Sequence, residues 1–597
     1  MSFGFGFGFP SWRTLAGGFS PAALFVGGVQ GAWYDPSDLS TLFTTSAGTT
    51  PVAMPGQGSA VSVGLMLDKS QGLVLGSELV TNGDFSNGTT GWINWLGRAT
   101  SLTAPGGVGR LDFNVSDPGI QQDITFPSAG TFKVEFDFTC QYTGQGAFRA
   151  FFLGGFVVSG SGDIAISPGQ TRRLTFYATR TSAGTSSFVI GPAGAPGPAN
   201  GYFLVDNVSI KQVLGNHAIA FNDTTARPEL RARVNLLEYS EQFDNGAWSK
   251  TNFTVTANAA IAPDGTQTAD LLAPTSPATT SFVIQTTAAT SGQVRLSYFA
   301  KQNTGRYFVI VRGPYANFDY AVFDLQSGTV TLQPTFAGSS AIISPENNGY
   351  YRCTLISSQA TGTQAFSISD SASGLGSGTG GSVFLWGADL RPANIGAAVP
   401  AYQRIADANT YDTSGFPLYL RFDGIDDSMY TPANLNLSGT DKVAVFAGVR
   451  RLTNTDGCVT ELTSGTTNGL SLFASTLGGN SWFFSAFGTT QLFGTVAPYN
   501  APITNVLTEQ LDKAAPADAT RISARVNAAA VSLSYIGSLG VPGNFANAPL
   551  YIGSRNNSTF WLNGHLHSLI IAGSAVSAGN ISATEQWVAN KTGIVIP

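Results

Sequence analysis

The stretch Phe132-Lys-Val-Glu-Phe-Asp-Phe138 alternates an apolar residue with a charged one at every step. A repeat of two puts alternate side chains on opposite faces of an extended strand. Phe132, Val134, Phe136 and Phe138 therefore share one face that must be covered, while Lys133, Glu135 and Asp137 face the other way. The pattern recurs in "VRLSYFA" (Val294, Leu296, Tyr298) and in "VAVFAGV" (Val443, Val445, Ala447, Val449). Turn residues interrupt such runs at short intervals, supplied by 71 glycines and 29 prolines. Short amphipathic strands with frequent turns predict an all-β chain of several antiparallel β-sandwich domains.

Helix signals are few. Asp35 is placed as an N-cap, with Pro36 at the first helical position and Leu39 and Phe43 spaced i, i+4. Ser582 and Glu585 have capping-box spacing, and Gly593 reads as a stop. The expectation is a short helix near residue 40 and a short C-terminal helix.

At 597 residues the chain is too long for one core; length alone suggests roughly three to five domains. Charged residues make up 11% and hydrophobic ones 43%, against about 25% charged in an ordinary soluble protein. The apolar content rules against a disordered chain. The net charge of −6 argues against a nucleic-acid partner. Cys140, Cys353 and Cys458 are far apart, so the spacing suggests neither a disulfide framework nor a zinc site. No apolar run is long enough for a transmembrane helix, so no membrane insertion is expected. The N-terminus lacks the basic n-region of a secretion signal.

Two segments share a plan. One opens "NGDFSNGTTGW" at Asn82 and closes "YFLVDNVSIKQ" at Gln212; the other opens "NLLEYSEQFDNGAWSK" at Asn235 and closes "SVFLWGADLRP" at Pro392. Each has an early Phe and Trp pair, Phe85 with Trp92 and Phe243 with Trp248, and a closing strand with an internal acid, Asp206 or Asp389. The reading is one fold used twice. "GPAGAPGPANG" and "GLGSGTGG" are read as loops within the two copies.

The first copy resembles the jelly-roll carbohydrate-binding modules of polysaccharide-degrading enzymes, on its N-G-D-F…W opening and its D-N-V-S closing strand. The second resembles jelly-roll modules of bacteriophage virion proteins, on "NLLEYSEQFDNGAWSK", "APDGTQTAD", "GYYRC" and "FLWGADL". A third piece, from "LYLRFDGIDDSMYTP" through "YIGS" and "NGHL" to a terminal helix, resembles laminin G/concanavalin A-like sandwiches. "GAWYDPSDLSTLF" and "VGLMLDKSQG" resemble a lead-in that usually continues into "GNHA…ARP". Here it breaks at Gly72 and resumes at Leu214, which makes the first copy an insertion.

The expected organisation is an N-terminal anchoring segment 1–30, a lead-in 31–75 belonging with the C-terminal sandwich, a jelly-roll 76–213, a connector 214–234, a second jelly-roll 235–403, and a laminin G-like sandwich 404–597. The resemblance implies a tailed-phage virion protein, a tail fibre, tail spike or head fibre, that binds host-surface polysaccharide and is exposed on the particle. It also implies other virion proteins as partners and a homo-oligomer, a trimer by analogy. The alternatives are an architectural capsid or tail decoration protein without glycan binding, and a polysaccharide depolymerase. A non-enzyme is expected, because no G-x-S-x-G elbow, Walker A loop or dinucleotide fingerprint occurs.

Candidate residues follow from chemistry. Sugar rings stack apolar faces on aromatic rings while their hydroxyls need amides, acids or arginine. Trp92, Asn94, Trp95 and Arg98 form such a mixture, with Trp248 as the counterpart in the second copy. Buried core is the competing reading for each Trp. Asp423, Asp426 and Asp427 crowd one turn; Ca²⁺ is the only candidate cofactor there, and local turn chemistry is the competing reading. His565 and His567 share a strand face but lack a third zinc ligand nearby, so a structural or surface role is expected. Phe3, Phe5, Phe7 and Phe9 in "FGFGFGF" read as a virion-anchoring segment that adds to a partner's edge or groove.

Overall fold

In a computed structural model the described residues are 18–597, apart from 115–116, 142–146, 193–200, 276–280, 291, 314–316, 373, 375–380, 394–400, 463–466 and 477–478. Phe3, Phe5, Phe7 and Phe9, and most of the two glycine-rich loops, lie outside the described residues. The architecture is all-β, built from antiparallel sheets packed as sandwiches, with a short C-terminal helix.

Residues 75–213 form two facing sheets, one of seven strands and one of five. The strand Gly130–Gln141 sits at the centre of the larger sheet, between Thr171–Arg180 and Gly201–Val213. Its Phe132, Val134, Phe136 and Phe138 are fully buried, as the alternation requires. They meet Phe148, Phe152 and Phe188 of the smaller sheet, so the core is largely phenylalanine.

Residues 249–392 repeat that order with two six-stranded sheets. Val294–Gln302 takes the central place, flanked by Tyr351–Ser357 and Val383–Pro392. Both central strands slip register against their closing strand, at Glu135/Asp137 and at Ser297/Phe299. Opposite each slip stands a left-handed residue, Asn207 (φ 52°) or Gly387 (φ 64°). A bulge needs a residue that tolerates positive φ, and Asn and Gly are the usual choices. The shared strand order and bulge make the two units one fold.

The third sandwich packs a nine-stranded sheet on a ten-stranded one. Strands on either side of the 75–213 unit complete it. Gly31–Tyr34 pairs with Asn563–Ala572, and Val61–Ser62 with Glu229–Arg231, which joins Tyr419–Asp423. Leu65–Met66 pairs with Ala218–Ala220, which joins Met429–Tyr430. The two chain ends of the first unit thus leave from adjacent, mutually paired strands. Asp68, fully buried, ties them further: it accepts from the N–H groups of Trp33 (2.7 Å) and Asn216 (2.7 Å), while its own N–H donates to His217 Nδ1 (2.9 Å).

The C-terminal helix is present as expected but starts elsewhere, and the helix expected near residue 40 needs correction. Near residue 40 there is only a 3₁₀ turn, Leu39–Thr41, before Leu42–Phe43 enters a sheet. Asp35 folds back on Ser37, accepting from its N–H (3.1 Å) and hydroxyl (2.6 Å), so it closes a turn instead of capping a helix. The C-terminal helix starts a turn early, at Ala578–Thr592, capped by Ser577, whose Oγ accepts from Asn580 N–H at 3.3 Å. Glu585 then lies mid-helix and fully buried, bonded to Thr508 Oγ1 and Arg525 Nε, both at 2.8 Å. Gly593 ends the helix in the left-handed region, as expected.

Candidate functional site

The five-stranded sheet of the first unit runs Ile164–Ala165, Ala147–Leu153, Gly184–Pro192, Ile120–Phe126, Ile93–Asn94. In "AFRAFFL", Phe148, Ala150 and Phe152 turn into the core. Arg149, Phe151 and Leu153 must then point outward. The ladder sets Phe151 opposite Val189, Val189 opposite Gln121, and Gln121 opposite Ile93; the next row is Leu153, Ser187 and Asp123. This outward face is chemically mixed, with Val189 at its middle covered and the residues on either side open or half-open.

Trp95 lies at one end of it. The chain leaves Asn94 into a tight turn, Trp95–Gly97, with Leu96 at φ 54°. Asn94 closes the turn together with the Arg98 N–H, which donates to Trp95 O (3.2 Å): the Asn94 Nδ2 donates to Ala99 O (2.8 Å) and its Oδ1 accepts from Ala99 N–H (3.0 Å). Trp95 N–H donates to Gly119 O at 2.8 Å, pinning the ring's base to the sheet. The indole is half-buried and meets Phe151 edge-on, with centroids 5.7 Å apart. A Cβ on Gly119 would lie 3.1 Å from the indole, so only glycine lets the ring settle there without a shift.

Charged groups border the two rings. The Arg98 guanidinium sits 5.6 Å from the Trp95 ring and that of Arg149 5.3 Å from Phe151. Asp117 stands between these arginines, 3.9 Å from Arg98 and 3.7 Å from Arg149. Further along, Gln121 Nε2 donates to Asp123 Oδ1 and Ser187 Oγ, both at 3.0 Å, and the Ser187 hydroxyl donates to Asp123 at 2.6 Å. The Ser187 hydroxyl, then the Gln121 amide, hold the Asp123 carboxyl below its ordinary range. Leu96 (66% exposed) and Ile93 (57%) leave apolar surface open beside them. A half-open indole beside fixed donors and acceptors can stack one face of a sugar ring and hydrogen-bond its hydroxyls.

The other expected residues lie elsewhere. Trp92 and Trp248 are core residues, 4% and 1% exposed, and this corrects their expected role as stacking platforms. Trp92 stacks on Phe85 at 5.3 Å and its Nε1 donates to Asn82 O at 3.0 Å. Trp248 packs on Phe243 at 5.1 Å and donates to Tyr239 O at 3.0 Å. A buried indole needs that one acceptor, and the opening turn of each unit supplies it. Neither ring offers a face to a ligand.

The acid cluster forms as expected, with Asp423, Asp426 and Asp427 ligand oxygens within 4.8 Å of one another. Asp423 Oδ1 accepts from Ile425 N–H (2.8 Å) and Asp426 N–H (3.3 Å), and Asp427 Oδ2 accepts from Asp423 N–H (3.1 Å). These bonds are turn chemistry. Burial, then the charge of Asp423, pushes the Asp427 carboxyl up to about 7. His565 and His567 are buried; His565 stacks on Tyr419 with centroids 3.9 Å apart. Burial lowers both imidazoles, so they sit neutral in a packed seam.

Phe151, Arg149, Gln121, Asp123 and Ser187 were not singled out in the sequence. Their signal was present in the alternation of "AFRAFFL", since an outward Phe beside an outward Arg is unusual on a solvated sheet face. The equivalent face of the second unit differs: Val309, Val311 and Val322 point outward there and are themselves buried.

No family model matches the chain, and no curated protein matches it. Among solved structures it is similar to the tandem carbohydrate-binding modules CBM22-1 and CBM22-2 of Paenibacillus barcinonensis Xyn10C, at 11% identity and a TM-score of 0.22, covering 53% of this chain and 98% of that one. It is also similar to domains LG4-5 of the mouse laminin alpha1 chain (14% identity, 50% and 89% covered, TM-score 0.20). A third is Trypanosoma rangeli sialidase with the inhibitor DANA (9% identity, 83% and 92% covered, TM-score 0.20). At such scores these likenesses say nothing of what the chain does.

Proposed function

We propose that the chain binds glycans, without cleaving them, on the outward face of the five-stranded sheet in its first sandwich. The observation that carries this is Trp95, half-buried and edge-on to Phe151, with Arg98 and Arg149 beside the rings and the Gln121–Ser187–Asp123 row beyond. The indole supplies apolar contact and the fixed polar row supplies direction. Affinity at one such site is low, and useful attachment comes from many copies.

The setting we propose is a tailed-phage particle, with the chain as a fibre or spike displaying this face to host-surface polysaccharide, the N-terminal segment docking on other virion proteins, and copies associating as a trimer. The support is the resemblance of the second unit's sequence to phage virion jelly-rolls. That unit's apolar outer face suits a spacer better than a receptor site. The Asp423 cluster is read as a turn; were an ion held there, Asp423, Asp426 and Asp427 would hold it. A glycan array probed with the chain and with Trp95→Ala tests the binding, and electron microscopy of labelled particles tests the location.

A further inference from the structure

A second, chemically different cleft of about 500 Å³ opens where the first unit meets the third sandwich. Its walls come from three parts of the chain: Gln212 from the first unit, Gln71 and Asn216 from the connections at its two ends, and Asn434, Asn436 and Asn547 from the third sandwich. Among the described residues, no charged side chain and no aromatic ring lines it.

Several of the amides are held in place by one end and offer the other. Asn434 Nδ2 donates to Asn547 O (3.0 Å), which leaves its Oδ1. Asn436 Oδ1 accepts from Ser438 N–H (3.1 Å) and Oγ (2.7 Å), which leaves its Nδ2. Asn216 Nδ2 donates to Gly31 O (2.9 Å), which leaves its Oδ1. Asn436 and Asn547 stand directly opposite each other on a two-stranded ladder, so their side chains emerge on the same face. Gln212 is built into the wall: Gly130, at φ 148°, makes room for it, since a Cβ there would lie 2.5 Å from Gln212 Nε2.

We propose that this cleft binds a neutral oligosaccharide by hydrogen bonds alone. A carboxamide presents a donor and an acceptor, and a sugar hydroxyl is both. Oriented amides lose little freedom on binding. An uncharged wall offers nothing to offset the desolvation of an acidic sugar, so the cleft discriminates against uronates and sialates. Its volume lies within the range of about 300–1,000 Å³ typical of ligand sites. The third sandwich and the first unit must stay docked for it to exist, and Tyr177 N–H donating to Ala47 O (2.7 Å) helps hold them so. This inference stands on different residues from the sheet face, so each can fail alone.

The test is an array of neutral oligosaccharides and their uronate- or sialate-bearing counterparts. It is probed with the full chain, with Trp95→Ala, with Gln71→Ala/Asn547→Ala, and with all three substitutions together. The side chains of Gln71 and Asn547 make no hydrogen bond among the described residues and are not buried, so that pair leaves the fold intact. Expected is a subset of neutral glycans that survives Trp95→Ala and weakens about tenfold or more when Gln71 and Asn547 are also truncated. The pair in the otherwise unaltered chain should lose that same subset, which covers the case in which Trp95→Ala fails to fold. Three results would overturn the proposal: no glycan bound once Trp95 is gone from a folded chain, residual binding indifferent to the pair, or residual binding confined to acidic glycans.

Discussion

The ring of Phe43 lies 4.9 Å from the ring of Tyr177, one on a lead-in strand of the third sandwich and the other on the first unit. Around them Leu65, Leu67, Val158, Val213 and Ile219 close a small apolar core of their own. This contact makes the inserted unit a fixed part of the sandwich, not a bead on two tethers, and it shapes the amide-lined cleft alongside.

Tyr177→Ala should therefore loosen the docking before it unfolds either sandwich. The expected cost is about 2–4 kcal/mol at this joint. Limited proteolysis should cut faster at Leu73–Leu75 and around Leu214, with near-normal protection of the first unit's own strands. Unchanged cutting at both connections would show that the joint does not depend on this ring.

Trp92→Ala and Trp248→Ala should each cost about 3–5 kcal/mol of their unit's stability, because a buried ring and a satisfied indole N–H are lost together. Trp92→Phe should recover most of the packing. Any folded Trp92→Phe chain should bind glycans as the parent does. Selective loss of binding in that variant, at normal melting temperature, would return Trp92 to the site.

Glu509 is fully buried, and burial holds its carboxyl well above the ordinary range. The folded chain thus keeps this proton more tightly than the unfolded chain. The group's contribution to folding is fully present below the unfolded value of about 4 and is lost as pH rises through the folded value. Glu509→Gln should flatten the dependence: a melting temperature above the parent's at pH 8, with the gap closing by pH 4. A parent that gains stability relative to the variant as pH rises would reverse the assignment.

The Asp423 turn gives a test of calcium. Asp423→Ala should lower stability by about 1 kcal/mol through lost turn bonds. Millimolar Ca²⁺ should leave the parent's melting temperature where it is. A calcium-dependent rise that Asp426→Asn removes would assign an ion to the cluster.

Much of the fold was legible because strands with one covered face must alternate, as Phe132 to Phe138 do, and because the two copies repeat their Phe–Trp openings. The site was only half legible. Trp92 and Trp95 are three residues apart with similar neighbours, yet one is core and the other is surface. The difference lies in the extended strand Ile93–Asn94 between them, which sends side chains three positions apart to opposite faces, and in Gly119, which makes room for the Trp95 ring. Neither is visible without the fold. Asp35 misled for a related reason: an Asx turn and a helix N-cap use the same side-chain acceptor, and only the pairing of Leu42–Phe43 with Leu65–Met66 decided between them.

Sugar stacking on Trp95 is measured by titrating a glycan selected on the array into the full chain and into Trp95→Ala, with melting curves to confirm folding. Losing a stacking ring costs about 1–2 kcal/mol, a fall in affinity of about five- to thirtyfold. That fall is expected, with Phe151→Ala behaving alike and Trp92→Phe behaving as the parent. Equal binding by the parent and a folded Trp95→Ala chain would contradict it.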